Sequence, residues 1–112
     1  MVDSVLESIC MKLNASIVNE RSAGNNLFID ISGENRNSYL TVQYVDGRIY
    51  NVYFKGAQYF DLPDNALYEI IQSILSGSYR IVVKGIIRKR DVPVINIDGQ
   101  DFYPGMFDKE LR

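Results

Sequence analysis

The chain contains no histidine, no tryptophan and a single cysteine. Each absence removes a class of chemistry. Histidine is the commonest general acid or base near neutral pH and the commonest transition-metal ligand. Without it, Ser-His-Asp and Cys-His hydrolytic machinery cannot be assembled. Zinc centres gather several Cys and His ligands, so an ordinary zinc site is excluded, and no metal or cofactor is expected. One cysteine forbids an internal disulfide, which points to a reducing, cytoplasmic compartment. Cys10 itself falls inside an apolar helical pattern and reads as a small buried hydrophobe. No apolar run approaches the roughly 18 residues of a membrane-crossing helix. The first residues include Asp3 and Glu7 with no early Lys or Arg, unlike a secretory signal. No membrane partner is expected. The glycines do not cluster into a phosphate cradle, and no nucleophile elbow is present.

What remains is an ordinary soluble composition in 112 residues: 46% apolar, 23% charged, net charge −2. That length allows one domain, 1–112, with a substantial core. From Asp3 to Asn14 the apolar residues Val5, Leu6, Ile9, Cys10 and Leu13 trace one helical stripe. Ser16 to Val18 reads as briefly extended, and Ser22 to Asn26 as a loop. Leu27, Ile29 and Ile31 alternate with Phe28, Asp30 and Ser32, the pattern of a half-buried strand. Tyr39–Val45 and Ile49–Phe54 follow as two further strands. A second helix is expected to start near Asp61–Asp64, with Pro63 in its first turn. Leu67, Ile70, Ile71, Ile74 and Leu75 form its apolar face, and Gly77 its C-terminal stop. Tyr79–Arg88 and Val92–Ile97 read as strands joined by a charged turn. In the first of these Ile81, Val83 and Ile87 lie on one side, and Pro93 marks an edge or a strand start in the second. The expected fold is α+β: an antiparallel sheet of about five strands, in the order α-β-β-β-α-β-β. Both helices cover one face, and the other face meets water.

The hairpin around Asp46-Gly47 decides which residues share a face. A two-residue loop would mix apolar and polar side chains on both sides. A three-residue loop, Val45-Asp46-Gly47, pairs Val42 with Tyr50 and Leu40 with Val52. Leu40, Val42, Tyr50, Val52 and Phe54 then share the buried face. Tyr39, Thr41, Gln43, Ile49, Asn51 and Tyr53 share the outer one.

The chain has eight tyrosines. Tyr39 and Tyr53 on the outer face have two readings: strand propensity, or an interface, where tyrosine offers large, stiff area with a polar handle. The carboxylate pairs Asp61/Asp64 and Asp98/Asp101 flank turns or a helix start, and turn and capping duty accounts for them. Arg88-Lys89-Arg90, with Arg80 and Lys84 upstream, is the one basic concentration. It reads as a solvated hairpin turn, with a phosphate-binding patch as its functional alternative. The acidic balance speaks against nucleic acid as a partner.

The order of elements, the acidic balance, the lone Cys10 and the Tyr/Asn-rich surface resemble bacterial immunity proteins of toxin delivery systems, such as contact-dependent growth inhibition. The resemblance implies a cytoplasmic, non-catalytic protein that binds and neutralises one cognate toxin, possibly a nuclease, in a protein–protein interaction. The surface expected to carry this is Tyr39, Thr41, Gln43, Asn51 and Tyr53. Asp98, Asp101 and Asp108 form an acidic supplement suited to a basic toxin surface. The same order of elements is similar to that of class I type III secretion chaperones. That resemblance implies a homodimer binding an effector segment, with its C-terminal helix placed at Met106–Leu111. The immunity resemblance leaves monomer and homodimer open.

Overall fold

A computed structural model describes residues 4–33, 39–62, 64–85, 87, 89–97, 99–104 and 106–107. Asp3, Pro63, Arg88, Asp98 and Asp108, given roles in the sequence reading, lie outside them. The fold is α+β. In chain order the elements are α1 (Ser4–Leu13), β1 (Ser16–Ala23), β2 (Asn26–Ser32), β3 (Tyr39–Val45), β4 (Ile49–Phe54) and β5 (Ala57–Leu62). They are followed by α2 (Asp64–Ser76), β6 (Arg80–Lys84), β7 (Arg90–Ile97), β8 (Gln100–Phe102) and the two-residue β9 (Met106–Phe107). The large antiparallel sheet runs β1-β2-β3-β4-β5-β9, and a small one runs β6-β7-β8.

Both helices end the same way. Asn14 and Gly77 take left-handed backbone angles, φ 53° and 75°. The amides of Ala15 and Ser78 reach back to the carbonyls of Cys10 and Ser73, at 2.9 and 2.8 Å. This is the Schellman arrangement that satisfies the orphan carbonyls of a last turn. The helical stripes do what their spacing implies. Leu6, Ile9 and Cys10 of α1, and Leu67, Ile70, Ile71 and Ile74 of α2, are buried. They pack on Ile29, Ile31, Leu40, Val42, Tyr50, Val52, Phe54, Tyr59 and Leu62 from the inner face of the large sheet. Ile95 of β7 closes the core from the small sheet. Tyr59 joins the two sheets by donating its hydroxyl to the Pro93 carbonyl, at 2.5 Å.

Several details differ from the sequence reading. The loop between β3 and β4 has three residues, but they are Asp46-Gly47-Arg48. The pairs are Val42↔Val52 and Tyr44↔Tyr50, two residues away from the expected register. Asp46 and Gly47 both take positive φ, 53° and 67°, and Asp tolerates that region far better than Val45 would. A shift of two preserves the side-chain parity, so the inner and outer faces stand as expected. Ser22–Asn26 is not a loop: the strands run up to a two-residue turn, Gly24-Asn25. β5 is an additional strand. It follows a two-residue turn at Lys55-Gly56, where both residues have positive φ, the primed geometry that matches strand twist. The last strand pair is shorter than expected. β6 ends at Lys84, and Arg90 and Asp91 already belong to β7.

Candidate functional site

The outer face of the large sheet brings together all five side chains expected there. The register lines Asp30, Thr41, Tyr53 and Gln58 in one row across β2 to β5. Phe28, Gln43 and Asn51 form the next row. The side chains are tied to one another. Gln43 Oε1 accepts from the Tyr53 hydroxyl at 2.7 Å and from Asn51 Nδ2 at 3.2 Å. Each bond joins neighbouring strands, so the polar face is held in one arrangement.

At the centre sits a residue the sequence reading passed over. Asp30 is 4% exposed, although its side chain projects on the water-facing side of the sheet. A buried carboxylate is costly unless it is paired and hydrogen-bonded. Here Arg21 Nη1 donates to Oδ2 at 2.6 Å, Thr41 Oγ1 to Oδ1 at 2.7 Å, and Asn19 Nδ2 to Oδ2 at 3.4 Å. Burial alone pushes the Asp30 pKa up. The hydrogen bonds from Arg21, Thr41, Asn19 and Tyr39 outweigh it and hold the carboxyl below its ordinary range. The Arg21 guanidinium, which also lies 5.8 Å from the centre of the Phe28 ring, is stabilised in its charged form mainly by the hydrogen bond to Asp30. Burial, then the charge of Asp30, raises the Tyr39 phenol, and burial raises that of Tyr53. Both present a neutral hydroxyl at physiological pH.

Beside this network lies a cleft of about 240 Å³, lined by Tyr39, Thr41, Tyr53, Lys55, Gly56 and Ala57, with Leu40 and Phe54 beneath. Three of the five expected residues border it. Lys55 is placed there by the β4–β5 turn, with its ammonium 5.7 Å from the Phe54 ring centre.

Of the acidic supplement, Asp101 does not join this face. It lies in β8 of the small sheet and pairs with Arg80 at 2.6 Å and Asn96 at 3.0 Å. Asp98 and Asp108 lie outside the described residues. Among the described side chains the face presents phenols, amides, Arg21 and Lys55, and the Asp30 carboxylate is satisfied within the sheet. The missed residues, Asp30, Arg21 and Lys55, become visible only once the register of β1 and the existence of β5 are known.

Among the described residues no three Cys, Asp or Glu side chains gather where a cation could be held, and no helix is long and apolar enough to cross a membrane. Comparison of the chain with protein-family models, with characterised proteins and with solved structures matched none of them.

Proposed function

We propose that the chain is a non-catalytic binding protein that engages one protein partner through the outer face of its large sheet. We further propose that this partner is a bacterial toxin, which the chain neutralises as an immunity protein does. One observation carries the reading. Tyr39, Thr41, Gln43, Asn51 and Tyr53 stand together on a face whose side chains are already fixed by cross-strand hydrogen bonds. A surface ordered before binding loses little side-chain freedom on association, which is one of the costs of forming an interface. Tyrosine is among the side chains that most often dominate interface energetics, and Tyr39 and Tyr53 both border the cleft. Binding over a catalytic centre would block it without any chemistry from this chain. The chaperone alternative needs a helix at Met106–Leu111. Met106 and Phe107, where that helix would begin, form β9 and pair with Gln58 and Ala57, which counts against a helix starting there.

The experiment is capture by the tagged chain from its native host, followed by expression of the captured protein alone and together with this chain. The reading predicts a protein that arrests growth alone and is harmless when this chain is co-expressed. A captured partner that is harmless by itself, or whose toxicity this chain does not relieve, would contradict it.

A further inference from the structure

The small sheet has an open edge. β6 is its outer strand, and no described strand pairs with the far side of β6. One proline fixes which backbone groups that edge displays. Pro93 stands opposite Ile81 and has no N–H to give the ladder. Its carbonyl accepts from the Tyr59 hydroxyl instead. Ile81↔Pro93 is therefore a non-hydrogen-bonded pair, in which each residue turns its backbone groups away from the other strand. Alternation along β6 gives Val83 the same sense. The N–H and C=O groups of Ile81 and Val83 thus point out of the edge. The same two residues carry exposed apolar side chains, 45% and 58% accessible, on the face they share with Pro93. Edge strands are usually blunted by bulges, prolines or charge. β1, the free edge of the large sheet, has a bulge between Ile17 and Asn19 and polar residues beyond it. β6 has no such device at its centre: Ile81-Val82-Val83 pair regularly with Pro93, Val92 and Asp91.

We propose that this edge pairs antiparallel with the same edge of a second copy of the chain, joining two three-stranded sheets into one across a two-fold axis. Outward N–H and C=O groups in alternating pairs are satisfied by a strand. A second β6 offers the same groups at the same spacing. A two-fold axis perpendicular to the sheet also keeps the apolar side chains of both copies on one face. Charge sets the register. Pairing centred on Ile81 places Ile81 beside its own copy, Val83 beside Tyr79, and Arg80 beside Val82. Centring on Val82 instead would set Arg80 beside Lys84, two like charges directly opposite. At the Ile81 register Val83 covers the half-buried Tyr79, whose ring meets Phe54 edge-on at 5.1 Å. Arg80 is drawn back from the edge by Asp101. The contact uses none of the residues of the tyrosine face.

The test is sedimentation equilibrium of the whole chain. A small strand-edge contact is expected to give a monomer–dimer equilibrium with a dissociation constant of roughly 1–100 μM. Val83→Pro keeps the β6–β7 ladder, because the N–H it removes points outward. By symmetry it removes two intermolecular hydrogen bonds, and dimerisation is expected to weaken about 30-fold. Ile81→Glu and Ile81→Lys each set like charges across the axis, and each alone is expected to stay monomeric. An equimolar mixture of those two variants is expected to form a mixed dimer. Ile81 is exposed, so this pair decides the matter even if Val83→Pro fails to fold, and circular dichroism matching wild type confirms each fold. A wild-type chain that is monomeric at about 1 mM would overturn the proposal. So would a dimer that a folded Val83→Pro leaves unchanged, or an Ile81→Glu and Ile81→Lys mixture that remains monomeric.

Discussion

Replacing Asp30 by Asn tests whether the outer face is held by a buried charge or merely by shape. The amide keeps the outline of the carboxylate and one acceptor oxygen. Its nitrogen would replace either the acceptor that Arg21 uses at 2.6 Å or the one that Thr41 uses at 2.7 Å, setting donor against donor. Hydrogen bonds to a charged group contribute roughly 1.5–3 kcal/mol each. The Arg21 side chain is half exposed, so water replaces part of what it loses. A net loss of about 2 kcal/mol at pH 7 is the reasonable magnitude, or about 8 °C in Tm for a domain of this size. The pH dependence has a definite sign. Folding lowers the pKa of Asp30. Its stabilisation is therefore complete above the unfolded value of about 3.9 and is lost as pH falls through the lower folded value. The gap between wild type and Asp30→Asn should thus be widest at neutral pH and shrink progressively as pH falls below the unfolded value. Urea unfolding at a series of pH values measures both curves. A variant as stable as wild type at pH 7, or a gap that stays constant into acid, would refute the reasoning.

The remaining predictions concern the scaffold beneath that face. Tyr59→Phe removes the side-chain hydrogen bond that reaches the Pro93 carbonyl of the small sheet, so it should cost about 1 kcal/mol in chemical denaturation. An unchanged midpoint would show that the hydroxyl does not couple the sheets. Cys10 is buried, and burial raises its pKa. A thiol reagent such as Ellman's should therefore react slowly with the native chain and rapidly only once denaturant unfolds it; prompt reaction in buffer would contradict the packing of α1. Gly47→Ala forces a side chain into left-handed backbone, where its Cβ meets the Tyr44 hydroxyl only at an ordinary 3.9 Å, and should destabilise by roughly 1 kcal/mol through backbone strain. A neutral result would mean that the turn relaxes to another type.

How much of this was legible in the sequence follows from where periodicity is strong. The stripe Leu67-Ile70-Ile71-Ile74 identifies α2 because a 3.6-residue repeat of large apolar side chains has no competing explanation. The outer face of β3 and β4 was legible through parity, which survived a register error of two residues. β1 was legible only at its start, Ser16–Val18: Asn19, Glu20, Arg21 and Ser22 are polar on both sides, as an edge strand can be, and carry no alternation. β5 escaped for another reason. The irregular pairing between Tyr50↔Leu62 and Val52↔Tyr59 breaks its alternation, and Lys55, rather than Asn or Asp, opens its turn. Without the second half of β1 and without β5, Arg21 and Lys55 had no place on the face. The role of Asp30 went with them, since an acidic residue in a polar row announces nothing until its cross-strand neighbours are known. Asp101, expected only as part of an acidic supplement, lies in the small sheet beside Arg80, a placement that its sequence neighbours do not announce.

The central claim is that Tyr39 and Tyr53 are contact residues on an ordered face. It is tested most directly by calorimetric titration of the partner captured from the host into wild type and into Tyr39→Ala/Tyr53→Ala. Circular dichroism confirms that the double variant is folded. Interface tyrosines of this kind contribute about 2 kcal/mol or more, so a loss of affinity of at least about 30-fold is predicted. Equal affinity for the two chains would show that the partner binds elsewhere and would contradict the account.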